Sequence, residues 1–103
     1  MATGILGQSA PTGLTNTTVY TVPSAVVATC TINITNTTAG AISFRFAVAS
    51  TSSPTNSEWI EYDAVIPANG NYNNSGLVVN AAEQFVIYPS ATGLSVSVYG
   101  YEQ

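Results

Sequence analysis

Apolar and polar residues alternate along most of the chain, in short runs separated by turn-forming residues. Between residues 25 and 36, every second position from Val26 to Ile34 is apolar, and most of the positions between them are Thr or Asn. A period of two places the apolar side chains on one face of a β-strand whose other face is polar. No window shows a convincing helical period, so the pattern predicts strands throughout.

The alternation predicts seven strands, bounded by segments that contain Pro, Gly, Asn and Ser. The predicted strands cover residues 17–22, 25–36, 41–50, 59–66, 71–80, 83–88 and 94–100. Short strands at this spacing predict an all-β fold, a single antiparallel β-sandwich of immunoglobulin-like or jelly-roll-like type. The inward strand faces predict a core of Val26, Cys30, Ile32, Ile34, Ile42, Phe44, Phe46, Val48, Phe85, Ile87, Val96 and Val98.

Residues 1–16 lack this alternation and are rich in Gly, Ser, Thr and Pro, with Ile5 and Leu6 as their only apolar pair. We expect them to form an extended N-terminal arm, followed by a sandwich domain over residues 17–103. Terminal segments are disordered unless something holds them. The arm is therefore either disordered or ordered against a neighbouring subunit, and in the second case Ile5 and Leu6 would contact that neighbour.

The ionisable residues exclude most catalytic chemistry. The 103 residues include five acids, one basic residue (Arg45), no Lys and no His, and the formal net charge is −4. Without His there is no imidazole metal ligand and no proton shuttle near neutral pH, and without Lys there is no Schiff base. One arginine against five acids also disfavours nucleic acid and anionic membranes as partners. We interpret the chain as a structural or binding module, not an enzyme, with no metal or cofactor.

Charged residues make up only 6 % of the chain, against about a quarter in ordinary soluble domains. This leaves two interpretations: a surface solvated by Thr, Ser and Asn, or a surface largely covered by neighbouring subunits, since interface cores are depleted in charge. No signal peptide is evident, and no apolar stretch approaches the ~20 residues that span a bilayer.

The only acidic cluster surrounds Trp59 and Tyr62 and consists of Glu58, Glu61 and Asp63. On a regular strand Trp59, Glu61 and Asp63 share one face, and the two carboxylates lie roughly 7 Å apart. That separation suits acid–base chemistry on a glycosidic bond, and carboxylates with nearby carbonyls also suit calcium. A solvated strand face explains the same residues, and it is the interpretation we favour.

Six residues are candidates for contacts with a neighbouring subunit: Ile5, Leu6, Arg45, Trp59, Tyr99 and Tyr101. Arg45 lies mid-strand on an outward face, where an ion pair with Glu61 or Asp63 is favoured over a subunit contact, although arginine is enriched at interface hot spots. Tyr99 and Tyr101 lie on the outer face of the last strand. They could bind carbohydrate, pack on a neighbour, or pack on the N-terminal arm of their own domain.

Four short motifs, in order along the chain, resemble those of small virion structural proteins of tailed bacteriophages. They are TVYTVP at residues 18–23, WIEYD at 59–63, IPANG at 66–70 and VSVYGYE at 96–102. The resemblance covers most of the chain. Trp59 stands where such proteins usually have Tyr, and the basic residues common among them are nearly absent here.

The resemblance implies a non-enzymatic virion component that is assembled in the host bacterial cytoplasm. Within that class we expect a capsid decoration (cement) protein, which binds the major capsid protein or other virion proteins and stabilises the assembled shell. Such proteins are commonly homotrimers, so the resemblance implies a homo-oligomer. The alternatives are a tail, neck or baseplate subunit, or a fibre subunit that binds carbohydrate through Trp59 and the tyrosines.

Overall fold

Eight β-strands and no helix make up residues 2–103, the part of the chain that the computed structural model describes. The strands are β1 (Thr3–Ser9), β2 (Thr17–Thr21), β3 (Ala28–Asn36), β4 (Ile42–Ala49), β5 (Trp59–Ile66), β6 (Asn71–Val79), β7 (Gln84–Pro89) and β8 (Leu94–Glu102). The seven predicted strands match β2 to β8 to within three residues at either end. Within residues 2–103 there is accordingly no helix long and apolar enough to cross a membrane.

The strands form two four-stranded antiparallel sheets that pack as a sandwich. Sheet A has the order β1-β8-β3-β6 and sheet B the order β2-β7-β4-β5. The first strand pairs with the last, the second with the seventh, the third with the sixth and the fourth with the fifth. The chain is thus a long hairpin that is rolled up into two sheets, which is the jelly-roll topology. The strand order therefore decides between the two sandwich types that the sequence allows.

Apolar side chains from both sheets meet in one core, as the alternation predicts. Phe44, Phe46 and Phe85 are fully buried, and the rings of Phe46 and Phe85 lie 5.8 Å apart between centroids. Ten of the twelve predicted core residues are buried; Val26 and Val48 are half-buried and pack against the others. Burial of this apolar surface is the main source of stability for a chain with so few charges.

The extended N-terminal arm predicted over residues 1–16 is not confirmed. Thr3–Ser9 is instead an edge strand of sheet A, paired with β8 so that Ile5 lies opposite Tyr99. Leu6 is half-buried and packs against the core. The strand has one large apolar residue on each side, Ile5 and Leu6, and its other residues are Gly, Thr, Gln and Ser. Two apolar residues give no detectable period, so the alternation did not predict this strand. Met1 lies outside the described residues.

Each of the four edge strands carries at least one β-bulge. The register shifts occur where β1 meets β8, β2 meets β7, β6 meets β3 and β5 meets β4, and in every case the additional residue is on the edge strand. The central pairs β3·β8 and β4·β7 are regular. An edge strand has a row of free backbone N–H and C=O groups through which chains can aggregate. Bulges disrupt this row and so protect the edge, as charged side chains do in other proteins. The faces of the sheets, more than their edges, are therefore left available for association.

Candidate functional site

The outer faces of the two sheets differ in charge. Arg45, Glu61 and Asp63 belong to sheet B, and Glu58 and Glu83 directly precede strands of that sheet. The sixth charged residue, Glu102, is on β8, but its carboxylate accepts a hydrogen bond from Tyr20 of sheet B and lies at the end of the sandwich. Among the described residues, the outer face of sheet A carries no charged side chain.

We call this outer face of sheet A the neutral face. It consists of Thr3, Ile5, Gln8, Thr29, Thr31, Asn33, Thr35, Asn71, Asn73, Val78, Ser95, Ser97, Tyr99 and Tyr101, which lie opposite one another in the register of the four strands. The alternation that turns Ile32, Ile34, Val96 and Val98 inward turns these residues outward.

One half of the neutral face is apolar and aromatic. Ile5, Tyr99 and Thr31 form one row across three strands, and the adjacent row runs from Tyr101 through Thr29 to Val78. Ile5 is 59 % exposed and Val78 69 %, and both tyrosines are exposed. Exposed apolar side chains that cluster on one surface mark an interaction site more often than isolated ones do.

The other half of the neutral face is covered by amides and hydroxyls that bond to one another. Asn71 donates to the side-chain oxygens of Asn33 at 2.7 Å and of Thr35 at 3.0 Å. Gln8 donates to Ser97 at 3.4 Å. Because these groups already have partners, covering them with another protein costs less than burying unpaired polar groups.

Three of the six candidate contact residues meet on the neutral face: Ile5, Tyr99 and Tyr101. Leu6 does not join them, since it packs against the core. Val78 also lies on this face but is not among the candidates predicted from the sequence. Its outward orientation becomes clear once the register of the run Leu77-Val78-Val79 is known. Val79 is buried, so its neighbour on a strand must face outward.

Arg45 and Trp59 lie on sheet B in a second group of side chains, which we call the aromatic–arginine cluster: Arg45, Trp59, Tyr62, Asp63 and Tyr88. Nε of Arg45 donates to Oδ1 of Asp63 at 2.7 Å, which confirms the ion pair expected for this arginine. Its guanidinium carbon lies 4.1 Å from the ring centroid of Tyr62 and 5.0 Å from that of Tyr88. The hydrogen bond to Asp63 raises the pKa of Arg45 above its ordinary value.

The face predicted to be shared by Trp59, Glu61 and Asp63 is not formed. Two additional residues in β5, relative to β4, change the alternation, and Asp63 has a positive φ of 55°. Asp63 pairs with Arg45 on the outer face, while Glu61 accepts a hydrogen bond from the hydroxyl of Tyr72 at 3.2 Å on the inner side. The two carboxylates therefore point to opposite sides of β5, and they are not placed to act on one bond or to bind one calcium ion.

No family model, curated protein or solved structure matches this chain. A function is therefore inferred from the two outer faces and from what their side chains are able to bind.

Glu58, the remaining member of the acidic cluster, has a structural role. Its carboxylate accepts hydrogen bonds from the backbone N–H groups of Thr55 at 2.8 Å and Ser50 at 3.2 Å, which lower its pKa. Within residues 2–103, no three His, Cys, Asp or Glu side chains are grouped so that they could hold a metal ion. The described residues enclose no pocket.

Proposed function

We propose that this chain is a non-enzymatic structural protein of a tailed-bacteriophage particle, and specifically a decoration protein that binds the assembled capsid through the neutral face. The observation that carries the proposal is the absence of charge across this whole face, together with four exposed apolar or aromatic side chains in one half of it. The cores of protein interfaces have the same character, since they are depleted in charged residues and enriched in aromatic ones.

The two halves of the neutral face contribute differently to such a contact. Covering Ile5, Val78, Tyr99 and Tyr101 removes apolar area from water, which favours association. The amide and hydroxyl half adds area and specificity at a small cost of desolvation, because its groups bond to one another in the free protein. Docking through a face of this kind needs no basic residues. This agrees with the sequence, in which the only arginine, Arg45, is already paired with Asp63.

The distribution of charge also favours many copies on one surface. With the acids on sheet B or at the end of the sandwich, a copy that docks through sheet A keeps its negative charge away from the shell. Each copy that binds the assembled shell and not its dissociated subunits stabilises the shell by mass action. The proposed partner is the major capsid protein or another virion protein, and the proposed state is a homo-oligomer within the virion, a trimer by the resemblance to decoration proteins.

Two valines provide a matched test of this docking face. Val78, on edge strand β6 of sheet A, is 69 % exposed, and Val65, on edge strand β5 of sheet B, is 65 % exposed. The experiment is co-sedimentation of the purified chain with purified capsids, free of this protein, of the phage that encodes it. We expect Val78→Lys to abolish co-sedimentation and Val65→Lys to leave it unchanged.

Equal binding by the two lysine variants would exclude the neutral face as the docking surface. Co-sedimentation with purified tails, and none with capsids, would assign the same fold to a tail, neck or baseplate subunit and contradict the decoration role. Circular dichroism of each variant confirms that a loss of binding does not reflect unfolding.

A further inference from the structure

We infer that the aromatic–arginine cluster is a binding site for a neutral carbohydrate, with a pyranose ring stacked on Tyr62 and its adjacent hydroxyls bound by Asp63 and Arg45. This site is on the outer face of sheet B, opposite the neutral face. The inference therefore goes beyond the proposed structural function and does not depend on it.

The ring of Tyr62 supplies the stacking surface. It is 56 % exposed, although two neighbours hold it: the guanidinium of Arg45 lies over the ring, and Trp59 meets it edge-on with centroids 5.6 Å apart. An aromatic ring presents a broad apolar surface with few rotatable bonds, so little conformational entropy is lost when a ligand stacks on it. The apolar C–H face of a pyranose has the size and polarity that match such a ring.

The polar partners are the guanidinium of Arg45, which lies over one face of that ring, and the carboxylate of Asp63 paired with it. The second bond of the ion pair, from Nη2 of Arg45 to Oδ2 of Asp63, is long at 3.4 Å. Oδ2 is therefore able to accept a hydrogen bond from a ligand as well. A guanidinium has five N–H donors, and the ion pair uses two of those of Arg45. An acceptor and a donor that are held next to each other match two adjacent sugar hydroxyls, each of which both donates and accepts.

Charge selects a neutral ligand over an anionic one. The only cation of the site is paired with Asp63, and a further acid, Glu58, directly precedes the same strand. A uronic acid or a sulfated sugar would bring further negative charge to an acidic surface. A neutral hexose polymer has no such penalty, and its repeated rings suit an open surface that encloses no pocket.

The backbone of β5 supports the assignment of this site. Its bulges bring Tyr62 and Asp63, which are consecutive in sequence, to the outer face together, whereas consecutive residues of a regular strand face opposite sides. Bulges that redirect a side chain are over-represented next to functional sites, as are residues with a positive φ such as Asp63.

The test is an NMR titration of the isotope-labelled full chain with three neutral hexasaccharides, which are maltohexaose, cellohexaose and chitohexaose. We expect at least one of them to shift the amide signals of residues 59–65 and of Arg45 and Tyr88, at concentrations up to ~10 mM, as befits a shallow site. Hexagalacturonate, the anionic comparison, should leave these signals unchanged.

Two tyrosine variants make the test specific. Tyr62→Ala should weaken binding about tenfold or more, whereas Tyr101→Ala, a change to an exposed tyrosine of the neutral face, should not alter it. Asp63→Asn, which keeps a residue type that tolerates positive φ, should also weaken binding in a chain that stays folded. Absence of shifts at the cluster with all three neutral sugars, or equal weakening by the two tyrosine variants, would overturn the inference.

Discussion

The phenolic hydroxyl of Tyr20 donates a hydrogen bond to Oε2 of Glu102 at 2.5 Å and thereby joins β2 of sheet B to β8 of sheet A. Oε1 of the same carboxylate accepts the backbone N–H of Ala2 at 3.1 Å. The bond from Tyr20 and then that from Ala2 lower the pKa of Glu102, while burial raises the pKa of Tyr20 above its ordinary value. One ionised carboxylate thus links the two sheets and the N-terminal strand at this end of the molecule.

Because the pKa of Glu102 is lowered in the folded state, the stability of the fold depends on pH and decreases in acid. A carboxyl group whose pKa is lower in the folded state stabilises that state above its unfolded pKa of about 4.3, and the contribution is lost as the pH falls through the folded value. We expect Glu102→Gln to have a lower urea unfolding midpoint than the wild type at pH 7, and the difference between the two midpoints to be smaller at pH 3. A difference that is the same at both pH values would show that the charge of Glu102 makes no contribution.

Asn36 is fully buried and fixes the open end of the β4–β5 hairpin. Its Nδ2 donates to the carbonyl oxygens of Gly40 at 2.8 Å and Ile66 at 3.1 Å, and its Oδ1 accepts from the backbone N–H of Thr38 at 3.0 Å. Asn36→Ala should lower the free energy of unfolding by about 3 kcal/mol, because it leaves buried groups without partners. The exposed Asn73→Ala should change it by less than ~0.5 kcal/mol. Equal effects of the two variants in urea unfolding would contradict this role for Asn36.

Phe44 tests the register of the core. Its side chain is buried, and its ring lies 5.0 Å from that of Tyr72 in the facing sheet. Phe44→Ala should destabilise the fold by ~3–5 kcal/mol, whereas Tyr62→Ala, on the outer face, should have a small effect. If calorimetry gave a loss under ~1 kcal/mol for Phe44→Ala, the inward orientation of β4 would be wrong.

The N-terminal strand makes a direct prediction about truncation. Removing residues 1–9 deletes β1, uncovers the backbone of β8 and removes Leu6 from the core. We expect a loss of at least about 2 kcal/mol in the free energy of unfolding, from the lost burial of Leu6 and the lost strand pairing. The point variant Ile5→Ala, at an exposed position, is the control and should cost far less. A truncated chain as stable as the full one would show that β1 does not contribute to the fold.

Alternation was enough to predict seven strands and most of the core, because strands such as β3 have one buried face and a period of two that is free of interruptions. The jelly-roll order was not predictable in the same way, since it depends on which strands pair across long stretches of chain. The same limit applies to the candidate site. Residues such as Ile5 and Val78 were visible as apolar positions, but only the register places them on one face with Tyr99.

The bulges of β5 mark where reasoning from alternation was wrong. A strict period of two places Glu61 and Asp63 on one face and Tyr62 on the other. The two additional residues in β5 bring Tyr62 and Asp63 together with Arg45 instead. No residue type in the run WIEYD requires a bulge, so the sequence gives no local signal for this change, and the aromatic–arginine cluster becomes apparent only in three dimensions.

Cryo-electron microscopy of the intact phage particle would show directly whether the neutral face binds the assembled capsid, as we propose. We expect density for this jelly roll on the capsid lattice, with sheet B facing solvent and four residues of sheet A against the shell: Ile5, Val78, Tyr99 and Tyr101. Density found only in the tail, or a lattice-bound copy whose neutral face points to solvent, would contradict it.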